Sequence, residues 1–506
     1  MRGLKPIAIG RREIWCVMAL TLIGAILRLV NLGSQGLWYD EVWTHDLANS
    51  QLRLMLHRLP NWESTPPLYY LLVWFGRHVA GDSQFSLRLP GALAGIATVP
   101  AMWAAAREFG GRRAGLTAAA LTACSPFMWW YSQEARAYSL AAMFGAFALW
   151  FLARSIRSGS GRDLFGWAAA SALALLSQYP AGLVLAVSAV VLLVVLKDAR
   201  RKVLAASLLP TAVGFGLIPL AVAQRSTGRS NWIELFPLRG RLEQLVSQFW
   251  LGNPAFSSGP ELEIAAAVGL VLIVVLLVLA RRASCELGLA VKVPGAIAVG
   301  SVALYGITAV AGTDMIIARN LIVVWPAGMA VVAVCLGMLD RRLNLAFCLV
   351  ACSAMVALIV HVETDSGLQR ADWRPAAALL GPAPQGGRII AVQAYPHSRP
   401  LTAYLPGLRR PRRSGDAVRE LVMVSVEMPP PRWCWWGGVC SDGILRSYSS
   451  LPINVEQFLG FKRVSQASSK PFTAVVYRSA RPINVTTRSV HGQLPWKLEG
   501  VVFYQR

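Results

Sequence analysis

The sequence predicts a mainly α-helical protein: a polytopic membrane domain over residues 1–362, then an α/β or α+β domain over residues 363–506. Composition supports the first part. The 506-residue chain is 55% hydrophobic and only 15% charged, whereas soluble domains carry about 25% charged residues. The distribution of apolar residues supports the division into two domains. Apolar runs of about 17–25 residues recur up to His361 and then stop, as expected of membrane-spanning helices followed by a soluble region.

Basic residues indicate which ends of the apolar runs face the cytoplasm. Lys and Arg collect in the cytoplasmic loops of membrane proteins, and here they cluster between runs. The formal net charge of +23 therefore indicates topology and not a nucleic-acid partner. The clusters placed inside are Arg11–Arg12, Arg112–Arg113, Arg200–Lys202, Arg281–Arg282 and Arg341–Arg342.

This rule gives about eleven spans in a cytoplasmic membrane. They are 14–32, 86–106, 114–131, 138–154, 164–178, 181–196, 203–223, 261–280, 293–312, 321–338 and 345–362. Residues 33–85, 224–260 and everything after 362 then lie outside the cytoplasm. The first run follows a basic start but lacks a clear cleavage site, so we expect an uncleaved span and not a signal peptide.

The run Pro67–Gly81 resembles a span but is too short for a hydrocarbon core of about 30 Å. It also contains Arg77 and His78. If it were counted as a span, every later loop would change sides, and the later basic clusters would lie outside the cytoplasm. We therefore expect an interfacial or re-entrant helix within the first outer loop.

The C-terminal region alternates strand-like runs such as "RIIAVQAY" with turns rich in Pro and Gly, which predicts a mixed α and β domain. Six of the eight cysteines lie in or beside spans, whereas Cys434 and Cys440 fall in this domain. An oxidising compartment permits a disulfide between them. Tryptophans surround this pair, and they suit either a structural or membrane-docking loop or a sugar-stacking surface.

Two adjacent acids, Asp40 and Glu41, follow the first span in "GLWYDEVWTHDLA". A solvated loop capping the helix end is the plainer interpretation. The flanking tryptophans instead favour a position at headgroup depth, where such side chains are enriched. A half-buried carboxylate is a stronger base than an exposed one, which suits general-base catalysis.

Further polar residues collect on the predicted outer face. The connection 125–140 carries Glu134, Arg136 and Tyr138, and the connection 312–326 carries Arg319. Arg88 enters the second span. Charges at membrane depth are costly and usually face a cavity or a partner, although mutual pairing or snorkelling to the headgroups is the alternative.

Carboxylates and arginines at an outer membrane face suit a lipid phosphate held by arginine. A carboxylate can deprotonate an acceptor hydroxyl that attacks the sugar carbon bonded to that phosphate. Because the phosphate is already a leaving group, no cofactor is required, although Asp40 and Glu41 could bind Mg²⁺ or Mn²⁺. The chain contains no Asp-x-Asp, P-loop or Rossmann fingerprint.

The order of these features resembles the GT-C superfamily of membrane glycosyltransferases, near the protein O-mannosyltransferases and lipid A aminoarabinose transferases (glycosyltransferase family 39-like). The matching segments are "LRLVNLGSQGLWYDE" (27–41), "STPPLYYLLVWFG" (64–76), "FSLRLPGALAGIATVPAMWAAAREFGGRRAGL" (85–116), "SPFMWWYSQEARAYSL" (125–140), "RNLIVVWPAG" (319–328) and "DWRPAAALL" (372–380).

The resemblance implies a polyprenyl-phosphate sugar donor, an inverting displacement and an acceptor that is a glycan, a lipid or a protein. It makes Asp40 and Glu41 the acceptor-activating acids and Arg319 the phosphate ligand, and we expect Asp40 and Arg319 to share one cleft. Tyr69 lies in a matching segment. Glu63 precedes the Pro-Pro pair where relatives often have His, so specificity does not transfer.

Two other functions are compatible with parts of the sequence. A transporter or lipid flippase with an outer cap would also cross the membrane many times, but it should show internal repeats and helices broken at mid-membrane. A related enzyme that transfers a phospho-group or a preassembled glycan would differ in the width of its site, which the sequence does not reveal.

Overall fold

The structure is a computed structural model that describes residues 9–229, 231–235, 238–252, 288–366, 368–370, 372–392, 399–405, 407–426, 455–470, 472–492 and 501–506. The predicted span 261–280 and the pair Cys434 and Cys440 lie outside these residues. Packing divides the chain into two compact units. Of the described residues, the first comprises those up to Ser34 and those of Thr44–Leu368, and the second combines Gln35–Trp43 with those from Gln369 onward.

Helices dominate the first unit. In chain order they are α1 (Arg11–Leu29), α2 (Tyr39–Ala48), α3 (Leu52–Trp62), α4 (Leu68–Ala80), α5 (Gln84–Cys124), α6 (Pro126–Ser132), α7 (Tyr138–Ser158), α8 (Gly161–Ser177), α9 (Ala181–Val195), α10 (Arg200–Ser226), α11 (Leu238–Leu251), α12 (Leu289–Val310), α13 (Ala318–Leu321), α14 (Trp325–Gly337) and α15 (Arg341–Thr364). Helix α2 begins in the second unit and ends in the first.

Several of these helices can cross a membrane. Among the described residues, five segments are long and apolar enough, namely Gln84–Cys124, Tyr138–Ser158, Lys197–Ser226, Leu289–Val310 and Arg341–Thr364. Helices α9 and α14 are equally apolar but shorter. The prediction of a multi-pass, mainly α-helical membrane protein is therefore confirmed, while the count of eleven spans stays a prediction.

Helix α5 joins two predicted spans. The only non-helical residue within it is Gly111, whose φ of 77° suits a residue without a side chain. The chain then breaks at Ser125, whose hydroxyl caps α6 by accepting the Met128 N–H at 3.2 Å. The predicted third span, 114–131, therefore extends too far: the helix ends at Cys124 because Ser125 and Pro126 start a new one.

The run Pro67–Gly81 forms a helix, α4, as predicted. Its 13 residues span about 20 Å, which is shorter than the hydrocarbon core. It buries Tyr69, Tyr70 and Val73 and leaves Phe75 and Val79 exposed. Its expected position at the membrane interface stays a prediction.

Among its described residues, the second unit contains a six-stranded sheet with strand order β3-β4-β5-β2-β1-β6. Only β1 and β2 pair in parallel, and the other neighbours are antiparallel. The strands are β1 (Arg388–Val392), β2 (Asp416–Val426), β3 (Gln457–Phe458), β4 (Phe461–Ser469), β5 (Phe472–Val485) and β6 (Val501–Gln505), with helices α16 (Arg374–Leu380), α17 (Leu401–Tyr404) and α18 (Thr487–His491).

Apolar side chains pack on both faces of this sheet. Trp373 and residues of α16 and α17 cover one face, and Phe458, Phe461 and Val490 pack on the other. All five residues of β1 are buried, as expected of a central strand. The arrangement confirms the predicted mixed α and β class of the C-terminal region.

Candidate active site

Arg319 lies on the short helix α13, and its guanidinium carbon is 5.9 Å from the centroid of the Tyr138 ring. Its backbone is fixed from two sides. The Gln178 amide nitrogen donates to the Arg319 carbonyl at 3.2 Å, and the Tyr305 hydroxyl donates to the next carbonyl, that of Asn320, at 2.6 Å. The predicted candidates Arg319 and Tyr138 are thus neighbours.

The loop before α13 is held by a residue that the sequence analysis did not identify. Arg241, on α11, forms a two-point ion pair with Asp314, with nitrogen–oxygen distances of 2.9 and 2.6 Å. The hydrogen bonds from Arg241 lower the pKa of Asp314. Arg241 is only 4% exposed, so this pair anchors the loop from within the fold.

An apolar cavity lies between α7, α8, α9, α12 and α14, lined chiefly by small and aliphatic side chains. On α7 its lining includes Ala141 and Gly145, three and seven residues after Tyr138 and therefore on the same helix face. On the other side it includes Val323 and Ala327, which follow Arg319 by four and eight residues. The cavity therefore follows the helix face of Tyr138 and the segment after Arg319, although neither of these two side chains is part of its lining.

Glu63 and Arg136 form a buried ion pair in the same unit. The Arg136 Nη1 is 2.7 Å from the Glu63 Oε1, and both side chains are almost fully buried. The guanidinium carbon also lies 6.0 Å from the Tyr70 ring centroid, and the Tyr70 hydroxyl is 2.6 Å from that of Thr65. The Arg136 N–H donates to the Glu134 carbonyl at 2.7 Å, which places that candidate beside the pair.

Three further buried groups near this region contact backbone carbonyls. The Tyr69 hydroxyl donates to the Leu87 carbonyl at 3.1 Å, and Arg88 donates to that of Leu32 at 3.0 Å. Arg28 is fully buried and donates to three carbonyls and a hydroxyl. These contacts brace the helix ends, and a substrate-binding role for Tyr69 and Arg88 stays a prediction.

Asp40 and Glu41 lie in the first turn of α2, where negative charge is favoured by the helix dipole. Asp40 is half-buried and Glu41 is fully buried, with its Oε2 accepting the Trp38 N–H at 3.4 Å. Both belong to the second unit. That Asp40 and Arg319 share one cleft stays a prediction.

The pair is poorly arranged to hold a metal ion with both carboxylates. Adjacent positions of a helix do not face each other, so an ion would take one carboxylate from Asp40 or Glu41 and not both. In the described part of the chain, no three His, Cys, Asp or Glu side chains group closely enough to form a metal site. Binding of Mg²⁺ or Mn²⁺ stays a prediction.

The chain is similar to a known protein family and to several solved structures. Residues 64–223 match the family model described as dolichyl-phosphate-mannose-protein mannosyltransferase. This segment contains Tyr69, Arg88, Arg136 and Tyr138 and begins one residue after Glu63. The match confirms the predicted resemblance to the GT-C glycosyltransferases near the protein O-mannosyltransferase branch. No curated protein matches the sequence of the chain.

Solved structures to which the chain is similar include ArnT from Cupriavidus metallidurans bound to undecaprenyl phosphate, at 16% identity over 73% of this chain and 69% of that one, with a TM-score of 0.47. Arabinofuranosyltransferase AftD from Mycobacteria is similar at 16% identity over 94% of this chain and 40% of its own, with a TM-score of 0.49. The S. cerevisiae Pmt1-Pmt2 complex bound to its sugar donor aligns at 17% identity over 42% and 33%, with a TM-score of 0.35.

Proposed function

We propose that the chain, a membrane glycosyltransferase of the GT-C type, moves one sugar from a polyprenyl-phosphate donor to an acceptor hydroxyl. The transfer takes place at the outer face of the cytoplasmic membrane and inverts the sugar carbon. The acceptor is a glycan, a lipid or a protein. No metal or cofactor is needed to activate the donor, because its phosphate is a leaving group.

The observation that carries this proposal is the arrangement of Arg319, Tyr138 and the apolar cavity. A polyprenyl phosphate has a charged head and a long apolar tail. The Arg319 cation lies beside the Tyr138 ring, and on α7 the cavity lining begins one helix turn after Tyr138, at Ala141. An arginine is well suited to a phosphate because its planar donors match the phosphate oxygens. Apolar side chains of α7 and α14 line the cavity, and they suit the first isoprene units of the tail, since its empty volume of about 480 Å³ holds only part of such a chain.

The Asp40–Glu41 pair supplies the general base that takes the acceptor's proton. In the proposed step an acceptor oxygen attacks the sugar carbon, its proton passes to Asp40, and the bond from that carbon to the phosphate oxygen breaks. The phosphate leaves with the electron pair, and Arg319 stabilises its charge. Asp40 is assigned as the base because it is partly accessible, whereas Glu41 is fully buried and hydrogen-bonded to the Trp38 N–H.

The base is tested by Asp40→Asn, which keeps the shape of the side chain and removes its proton affinity. We expect transfer to be lost with expression and membrane insertion unchanged. Mass spectrometry of cell-envelope glycans, in cells that lack the gene and carry each variant, measures the transfer. Asp198→Asn, an equal change at an exposed position, is the control, and wild-type glycans in the Asp40 variant would remove Asp40 from the chemistry.

The phosphate ligand is tested by Arg319→Ala with undecaprenyl phosphate as the probe. Loss of a charged hydrogen bond costs about 1.5–3 kcal/mol, so the probe should bind roughly tenfold to a hundredfold more weakly. Arg162→Ala removes a cation from an exposed position and should leave binding unchanged. Equal affinity of the Arg319 variant and the wild type would contradict the phosphate role, and an EDTA challenge of purified protein tests metal dependence.

A further inference from the structure

The segment that carries Asp40 and Glu41 packs as part of the C-terminal unit. Residues Gln35–Trp43 group with residues from Gln369 onward, although more than 320 positions separate them in the sequence. Among the described residues, three of the contacts that make this connection each involve a residue close to the acid pair.

A hydrogen bond forms the first contact. The Leu37 N–H donates to the Tyr404 hydroxyl oxygen at 2.5 Å, and Leu37 is only 3% exposed. Burial raises the pKa of Tyr404 to about 12, and the nearby Asp372 and Glu41 carboxylates act in the same direction. The phenol therefore keeps its proton at neutral pH, and its oxygen is available to accept from the backbone.

Close packing against Gly36 forms the second contact. A Cβ atom at Gly36 would lie 2.2 Å from the Asp372 Oδ1 and 3.2 Å from the Tyr404 hydroxyl oxygen. Asp372 is fixed in turn by Arg374, whose Nε donates to both of its carboxylate oxygens at 2.9 Å. A side chain at position 36 would therefore force the segment away from this site.

A cation–π contact forms the third. The Arg399 guanidinium carbon lies 3.4 Å from the centroid of the Trp43 ring, a distance at which a cation is attracted to the ring face. Leu37 is three residues before Asp40 and Trp43 is three residues after it. The two anchors therefore bracket the acid pair by about one turn on each side.

We infer that Tyr404 and Arg399 are positioning residues for the acid pair, so that the C-terminal unit holds the proposed base in place. This inference rests on the proposed function. Tyr404 fixes the chain entering α2, and Arg399 fixes the helix face that carries Trp43. Displacement of a reacting group by about 1 Å can cost on the order of a hundredfold in rate, so loss of either anchor should lower turnover without weakening donor binding.

The test variant is Tyr404→Phe, which removes only the hydroxyl. The matched control is Tyr477→Phe in the same unit, because the buried Tyr477 hydroxyl has no hydrogen-bond partner among the described residues. Hydrogen–deuterium exchange of the full-length protein in detergent reports on residues 36–43 directly. We expect faster exchange at Leu37 in the Tyr404 variant and no change in the control.

Turnover should fall at least tenfold in Tyr404→Phe, with unchanged binding of undecaprenyl phosphate and an unchanged melting temperature. Arg399→Leu should behave alike, and Arg399→Lys, which keeps a cation, should recover part of the rate. Wild-type turnover in Tyr404→Phe would overturn the inference, as would a loss of turnover accompanied by an equal loss of folded protein. In either case an inactive Asp40→Asn would leave the proposed function standing. An active Asp40→Asn would instead overturn the proposed function.

Discussion

Arg28 is a fully buried cation whose partners include the last carbonyls of α5. Its Nη atoms donate to the Thr122 and Ala123 carbonyls at 3.0 and 2.9 Å, and its Nε to the Ser132 hydroxyl at 3.3 Å. The last carbonyls of a helix lack intrahelical partners and carry partial negative charge. Arg28 therefore satisfies the end of α5 and connects it to α6, which leads to the connection carrying Arg136.

Gly95 provides the space for this contact. A Cβ atom there would lie 2.0 Å from the Ser132 hydroxyl oxygen and 2.9 Å from the Arg28 Nε. We expect Gly95→Ala to displace both groups and to destabilise the protein by about 1–3 kcal/mol, as overpacking usually does.

Thermal unfolding in detergent measures this effect as a lowered melting temperature. Gly216→Ala is the control, since it adds the same methyl group to a helix where nothing lies within 4 Å. An equal melting temperature for the Gly95 and Gly216 variants would show that Arg28 and Ser132 move without cost.

The sequence predicts Glu63 and Arg136 as separate candidates but not as a pair. They are 73 positions apart, and their meeting depends on how the chain before α4 packs against the connection that precedes α7. Thr44, whose hydroxyl accepts from Arg136 at 3.5 Å, and Tyr70 complete this cluster. Neither carries a sequence signal beyond polarity in an outer loop. Residue types could be predicted here because charge near a membrane is unusual, whereas partners depend on tertiary packing.

At the scale of elements, two helices hold the loop that leads to Arg319. Besides the Arg241–Asp314 pair from α11, Arg225 on α10 donates to the Thr313 hydroxyl at 2.6 Å and to the Gly312 carbonyl at 2.8 Å. The loop 312–317 is thus fixed at its start and at its centre. Arg241 could not be identified from the sequence because its partner Asp314 lies 73 positions away, and no local pattern links the two.

The Arg241–Asp314 pair should influence donor binding through this loop. We expect Arg241→Gln and Asp314→Asn each to weaken binding of undecaprenyl phosphate, and the double variant to be no worse than either single one. Residues in one ion pair show interaction energies of about 0.5–3 kcal/mol in such cycles. The measurement is the probe affinity of all four proteins.

Arg157→Gln serves as the matched control, because it breaks the Arg157–Glu108 pair of 2.5 Å and does not touch the loop. Its probe affinity should equal that of the wild type. Additive losses in the cycle, or an equal loss in the control, would show that the pair acts on general stability and not on the position of Arg319.

At the scale of the whole molecule, hydropathy and strand alternation were sufficient to predict both the helical region and the mixed sheet. Each of these signals is local, since an apolar run or an alternating run reports its own secondary structure. The membership of Gln35–Trp43 in the C-terminal unit could not be predicted for the same reason. Its contacts, from Leu37 to Tyr404 and from Trp43 to Arg399, join segments with no common pattern.

The side of the membrane on which each later loop lies depends on whether α4 crosses the membrane. If α4 lies at the interface and does not span, the basic clusters at Arg112–Arg113 and Arg341–Arg342 are cytoplasmic and the C-terminus is outside, in agreement with the positive-inside rule. Alkaline phosphatase fused after Arg506 should then be active, because its disulfides form outside the cytoplasm. Green fluorescent protein fused after Leu339 should fluoresce, and its fusion after Arg506 should not. The reverse result at both positions would show that α4 crosses the membrane, and it would place Arg319 on the side opposite to the one proposed.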